Sequence, residues 1–185
     1  MAKLYFYYGT MNSGKSTHLL QSKYNYEERG MHTLAFSPAI DDRYGRKTIT
    51  SRIGCSVDAI EFSNETVFYD HLCHENKISC IFIDEAHFLT KKQIKQLLPI
   101  SVPILCYGLR TDFKGELFEG SQWLLAWADT IQEIKSICHC GKKSTMTARI
   151  DSLGSIIKEG DQIEIGGNEK YKSFCHKHFW KSDDI

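Results

Sequence analysis

Apolar runs and polar breaks alternate along this chain in a way that sets its elements before any motif is considered. "KLYFYY" at 3–8 is a short aromatic run ending at a glycine loop, and it predicts a buried strand. Helix formers follow from about Lys15 to Arg29, with Gly30 placed as a left-handed stop. A second strand is predicted at Thr33–Ser37, "TLAFS", closed by Pro38. The same pattern returns at Ser79–Asp84 ("SCIFID"), at Ile104–Leu109 ("ILCYGL") and at 130–134 ("TIQEI"). Between the first two of these, "TKKQIKQLL" sets Thr90 and Gln93 at capping-box spacing before Pro99. "SQWLLAWAD" (121–129) predicts a further helix.

Short apolar strands alternating with helices imply an α/β fold with a mainly parallel sheet covered on both faces. The polar stretch 41–54, "DDRYGRKTITSRIG", reads as a long functional loop lying beside the first one. Near residue 136 the texture changes. "CHCGKKS", "IIKEGDQIEIGGNEKY" and "CHKHF" suggest a small metal-clipped β unit with a long loop inside it. The expected division is 1–135 and 136–185.

The chain's 185 residues, 42% hydrophobic and 25% charged, suit one main domain with a small appendage. Twenty-three basic and 23 acidic side chains leave a formal net charge of +0 and no basic run, which argues against a nucleic-acid partner. The start lacks the pattern of a signal peptide, and no apolar run reaches the roughly 20 residues of a membrane span, so a cytoplasmic protein with no membrane partner is expected. Seven cysteines are an odd number, which suits reduced thiols, with Cys80 and Cys106 as plain core residues.

"GTMNSGKST" (9–17) carries G-x-x-x-x-G-K-[ST] between a predicted strand and a predicted helix. The whole loop, Gly9, Thr10, Met11, Asn12, Ser13, Gly14, Lys15, Ser16 and Thr17, is the candidate cradle for nucleotide phosphates. Its backbone N–H groups converge on oxygens, Lys15 supplies a cation and Ser16 a magnesium ligand. Asp84 and Glu85 end an apolar strand where such folds hold a second magnesium-associated acid. Asp84 then serves the metal, and Glu85 takes a proton from the attacking group.

"DEAH" at 84–87 is also the label of many helicases, and the carboxylates leave the acceptor open between water and a hydroxyl. A motor needs two nucleotide-binding domains, and the length accommodates one. His87 is either a contact to nucleotide or substrate, or a partly buried structural histidine. Cys138, Cys140, Cys175 and His178 have the spacing of a structural zinc site, with His139 and His176 as alternatives.

Together these features resemble the type II thymidine kinases, most closely the enterobacterial form. The likeness runs from "LYFYYGTMNSGKST" through "YNYEERGM", "IDDRYG", "SRIG" and "CYGLRTDFKGELFEGSQ" to "IGGNEKY". The resemblance implies a RecA-like P-loop domain plus a small zinc-containing β domain with a lasso loop. It implies transfer of phosphate from ATP, with Mg2+, to the 5′-hydroxyl of thymidine and also deoxyuridine. Inhibition by dTTP and a homotetramer are implied as well.

Carried onto this chain, Glu85 matches the catalytic base, with Asp84 and His87 beside the nucleotide. Phe88, Phe113 and Phe118 match walls of the base pocket. Gln162, Ile163, Glu164, Ile165 and Gly166 match the lasso stretch that reads the base, and Tyr171 matches a tyrosine near the sugar. Met11, Leu109 and Thr147 correspond to positions around the 5-methyl group. Two departures stand out: many members have glutamine at His87, and "TSRIG" lacks the His-Asp of the animal enzymes, leaving Ser51 and Arg52 as phosphate-side groups. The rival readings are a nucleic-acid-stimulated ATPase and a structural zinc protein.

Overall fold

The computed structural model describes residues 3–40, 47–73, 77–164, 166–167 and 169–180. Its centre is a sheet of six strands, each pairing parallel: β1 (Leu4–Tyr8), β2 (His32–Pro38), β5 (Ile60–Phe62), β6 (Ile78–Ile83), β7 (Ile104–Gly108) and β8 (Thr130–Glu133), in the order β5-β2-β6-β7-β1-β8. Because the period of a strand is two, alternate residues go to opposite faces. Leu4, Phe6, Leu34, Phe36, Ile81, Ile83, Ile104 and Cys106 join one core, while Ala35, Cys80, Phe82, Leu105 and Tyr107 join the other. Both faces are therefore apolar, as expected of a parallel sheet buried between helices.

Helix α1 (Lys15–Glu27) covers the second core through Leu19 and Leu20. The helix ends at Glu27, short of the expected Arg29, and the turn beyond it closes at the expected Gly30, whose φ of 71° lets the Gly30 N–H reach Glu27 O (2.9 Å) and the Met31 N–H reach Tyr26 O (3.2 Å). On the opposite face lie α2 (Phe68–Leu72), α3 (Lys91–Leu97) and α4 (Glu119–Trp127), burying Phe68, Ile94, Leu97 and Leu124. The capping box of α3 is complete between Thr90 and Gln93. Cys80 and Cys106 are fully buried, and burial raises both thiol pKa values, that of Cys80 to about 12. They are core residues. Among the described residues, no helix is long and apolar enough to cross a membrane.

The polar stretch expected to be a long loop is partly a hairpin. β3 (Thr48–Thr50) pairs antiparallel with β4 (Ser56–Asp58), and residues 41–46 lie outside the described ones. Only Ile49 in those two strands is buried, so the alternation that reveals a strand has almost no apolar position to act on. Beyond the main sheet come two small antiparallel sheets. β9 (Ser136–Ile137) pairs with β10 (Lys143–Ser144), and β11 (Met146–Ile150) lies between β12 (Ile156–Ile157) and β13 (Tyr171–Phe174). A short helix α5 (His176–Phe179) follows, and Met146, Ala148 and Phe179 form this region's small core.

Candidate active site

The loop 9–17 and the acids Asp84 and Glu85 gather at the carboxyl ends of the parallel strands, where open α/β sheets bind ligands. β1 delivers the loop 9–17, and the Gly9 N–H is tied to Gly108 O at the end of β7 (3.2 Å). Lys15 is buried and donates to Thr10 O at 3.0 Å. β6 delivers Asp84, and Ser16 Oγ donates to its Oδ2 at 3.0 Å. Asp84 is 7% exposed, and its pKa is raised to about 7, first by burial and then by the neighbouring Glu85. Ser16, the Glu85 N–H and Lys15 pull the other way, which is the environment of a carboxylate prepared for a cation.

Glu85 follows in the left-handed region at φ 47°, a costly conformation for a side chain with a Cβ. The Glu85 N–H donates to Asp84 Oδ1 (3.0 Å) and the Phe88 N–H to Glu85 O (3.0 Å), so the turn holds it there. His87 is buried, and its Nδ1 accepts the Leu109 N–H at 3.2 Å. Glu85 Oε2 stands 3.5 Å from the same nitrogen. His87 Nδ1 thus faces a backbone N–H donor and a carboxylate oxygen together. His87 also packs against Phe88 and Phe118, with ring centroids 4.1 and 4.5 Å away. It lines the apolar pocket rather than the phosphate cleft.

Two adjoining recesses form. The phosphate cleft is lined by Met11, Asn12, Gly14, Lys15, Ser16 and Thr17, by Thr50, Ser51, Arg52 and Ile53 from the hairpin, and by Glu85. Gly9 and Thr10 line a separate small recess with Arg110, Glu133 and Thr145, and Ser13 lines neither. The second recess is an apolar pocket that brings together Met11, Phe88, Leu109, Phe113, Phe118, Thr147, Gln162, Ile163, Glu164, Gly166 and Tyr171. Ile165 lies outside the described residues. Glu85 and Met11 border both recesses. Leu109 is held through both its N–H and its carbonyl, since Ser121 Oγ donates to the latter at 2.5 Å.

Sequence reasoning missed several residues here. Thr111 and Asp112 line the pocket. Asp112 accepts the Lys114 and Glu116 N–H groups (2.9 Å each) and receives Gln162 Nε2 at 2.9 Å, linking the turn after β7 to the strap 161–166. Arg149 is the larger omission. Its guanidinium lies 3.8 Å from the Phe113 ring centroid and donates to Asp161 O (2.9 Å) and Tyr171 Oη (3.1 Å), and it is 3.2 Å from the Glu164 carboxylate. Tyr171 Oη in turn donates to Glu164 O at 2.7 Å. A lone arginine inside the apolar run "MTARI" was the signal available.

Cys138, Cys140, Cys175 and His178 offer ligand atoms that all lie within 4.8 Å of one another. Cys140 and Cys175 Sγ are 3.8 Å apart, and His178 Nδ1 is 3.4 Å from both Cys138 and Cys175 Sγ. Tetrahedral zinc with thiolate bonds of about 2.3 Å sets its sulfur atoms roughly 3.8 Å apart, so the donor set fits that ion. His139 Nδ1 is 3.6 Å from Cys138 Sγ but is not among the four converging residues.

A parallel α/β sheet with a phosphate loop, an acid pair and a strapped apolar pocket opening on the same cleft defines a P-loop nucleotide-binding protein with a second site for a small molecule. Comparison with known proteins narrows that class. The thymidine kinase family model matches residues 2–179. The chain is 55% identical to a thymidine kinase of Shewanella oneidensis over 97% of both chains. It is 57% identical to one of Mannheimia succiniciproducens, covering 97% of this chain and 95% of the relative. A Haemophilus influenzae thymidine kinase is 54% identical over 97% of this chain and 96% of its own. The chain belongs to the thymidine kinase family.

Proposed function

We propose that this protein transfers the γ-phosphoryl group of ATP to the 5′-hydroxyl of thymidine, giving dTMP and ADP. The observation that carries this reading is that Glu85 borders both the apolar pocket and the phosphate cleft. A nucleoside in the pocket then presents its sugar hydroxyl to the carboxylate and to the donor's terminal phosphate together. Glu85 takes the hydroxyl proton, the O5′–P bond forms, and the bond from Pγ to the ADP oxygen breaks. Lys15, the N–H groups of 9–17 and the α1 N-terminus hold the donor, and Ser16 with Asp84 serves Mg2+, whose chemistry is to neutralise the phosphate oxygens.

In the same reading Phe88, Phe113 and Phe118 enclose the base, and Met11, Leu109 and Thr147 surround its 5-methyl group. The backbone of 162–166 satisfies the pyrimidine's polar edge, and Tyr171 borders the sugar. Residues 1–135 form the nucleotide-binding domain and 136–185 the lasso domain, folded around structural zinc. Deoxyuridine is accepted as a smaller substrate, and dTTP inhibits as an end product that fills both recesses. The working form is a cytoplasmic homotetramer. The test is incubation with ATP, Mg2+ and a panel of nucleosides: thymidine and deoxyuridine become monophosphates. No nucleoside monophosphate from any member of the panel would sink the reading.

A further inference from the structure

Thr147 on β11 and Ser173 on β13 are register partners, and both reach the same residue of the phosphate loop. Thr147 Oγ1 accepts the Met11 N–H at 3.1 Å, and Ser173 Oγ donates to the Met11 carbonyl at 2.5 Å. One residue earlier, the Thr10 and Ser144 hydroxyls lie 3.2 Å apart in a buried contact. Two consecutive loop residues are thus gripped by three hydroxyls from the small antiparallel sheets. These contacts span 134, 136 and 162 residues of sequence, so nothing local imposes them.

The grip has a directional consequence. A trans peptide is planar, with its C=O and the next N–H pointing opposite ways. Holding the Met11 carbonyl on Ser173 therefore sets the Asn12 N–H on the side of the peptide opposite Ser173, and Asn12 lines the phosphate cleft. Asn12 itself sits at φ 65°, a left-handed conformation that asparagine tolerates, and the peptide that precedes it is the one whose carbonyl Ser173 holds.

We propose that Ser173 is a positioning residue for the phosphate donor: from the zinc-side sheet it sets the peptide plane that aims a loop N–H at the nucleotide. The two small sheets then do more than roof the nucleoside. They shape the loop that holds the other substrate, and Met11, which borders both recesses, is the joint. This inference rests on the reading of 9–17 as the nucleotide cradle.

The test uses the zinc-loaded full chain with Ser173→Ala and Ser173→Thr, titrating a non-hydrolysable ATP analogue with Mg2+ and, separately, thymidine. Ser173→Ala is expected to weaken the nucleotide on the order of five- to tenfold, the loss of about one hydrogen bond. Thymidine affinity without nucleotide, zinc content and the thermal midpoint stay as in the parent, and Ser173→Thr, which keeps the hydroxyl, recovers nucleotide affinity. Unchanged nucleotide affinity in Ser173→Ala would overturn the proposal. So would an equal loss of both ligands with a lowered thermal midpoint, which marks general loosening. If the parent chain itself fails to bind the analogue, the cradle reading falls first, and the parent titration alone reveals that.

Discussion

Ser16 and Asp84 are 68 positions apart in the chain, yet the serine hydroxyl donates to the aspartate carboxylate at 3.0 Å. This contact joins the first turn of α1 to the end of β6, and so joins the glycine-rich loop motif to the adjacent pair of acids. The pair also carries a cost, because Asp84 is buried next to Glu85 and resists ionisation.

Asp84→Asn should therefore separate stability from function. Burial and Glu85 raise the folded-state pKa to about 7, against an unfolded value near 3.9, so between these the folded state binds the extra proton. Stability contributed by this group falls as pH rises through that window. Without Mg2+, the Asn variant should gain thermal midpoint relative to the parent from pH 4 to about 7, with the gap levelling above. Its Mg2+-dependent turnover should be nearly abolished. A variant midpoint below the parent's at pH 8 would contradict this.

Glu85→Gln keeps the side chain's shape and removes the carboxylate proposed as the base. Turnover is expected to fall by about 10²- to 10⁴-fold, while binding of both substrates persists. Steady-state rates with separate ligand titrations check the split, and near-normal turnover would remove Glu85 from the role.

Arg149→Met should raise the KM for nucleoside by roughly tenfold or more, because the guanidinium stacks on Phe113 and holds Asp161 and Glu164 of the strap as well as Tyr171 on β13. Lysine should not restore it, since a point charge cannot reach these partners from one planar fork. A KM unchanged in both variants would show that the strap closes without this tie.

Gly120→Ala tests the packing behind the acids. A Cβ there would meet Ala86 O at 2.5 Å, His87 O at 2.7 Å and Leu89 O at 2.8 Å, all backbone of the turn that follows Glu85. Overpacking should cost about 1–3 kcal/mol in urea unfolding, and turnover should drop with it. A neutral result would mean that α4 can shift without disturbing the turn.

The four converging ligands predict about one zinc per chain, lost in Cys175→Ser together with the fold of the small sheets. Among the described residues their core cluster is Met146, Ala148 and Phe179, with Ile156 and Phe174 packed against it, which is little to hold them without a staple. Elemental analysis of a well-folded preparation with no zinc would end this expectation.

Much of this molecule could be read from residues alone. Nine consecutive letters carry the phosphate loop, two short ligand pairs carry the metal cluster, and Thr90 with Gln93 carry a helix start. The hairpin 48–58 escaped because Ile49 alone among its strand residues is buried, leaving no periodic signal. Asp112, Arg149 and Ser173 escaped for a different reason: each is ordinary in its own stretch, and matters only through partners brought from elsewhere.

What the sequence by itself determined is local: strand and helix periods, the anion-binding loop, the acid pair and the ligand spacing, all of which depend on neighbours a few bonds away. Tertiary structure decided which face each strand buries, that Glu85 borders two recesses, that His87 serves as an acceptor for Leu109, and that Arg149 ties the strap. It also brought Ser173 to Met11. Those outcomes arise from packing between segments that lie from 12 to 162 residues apart, where the free energy belongs to the assembled contacts and to no single stretch.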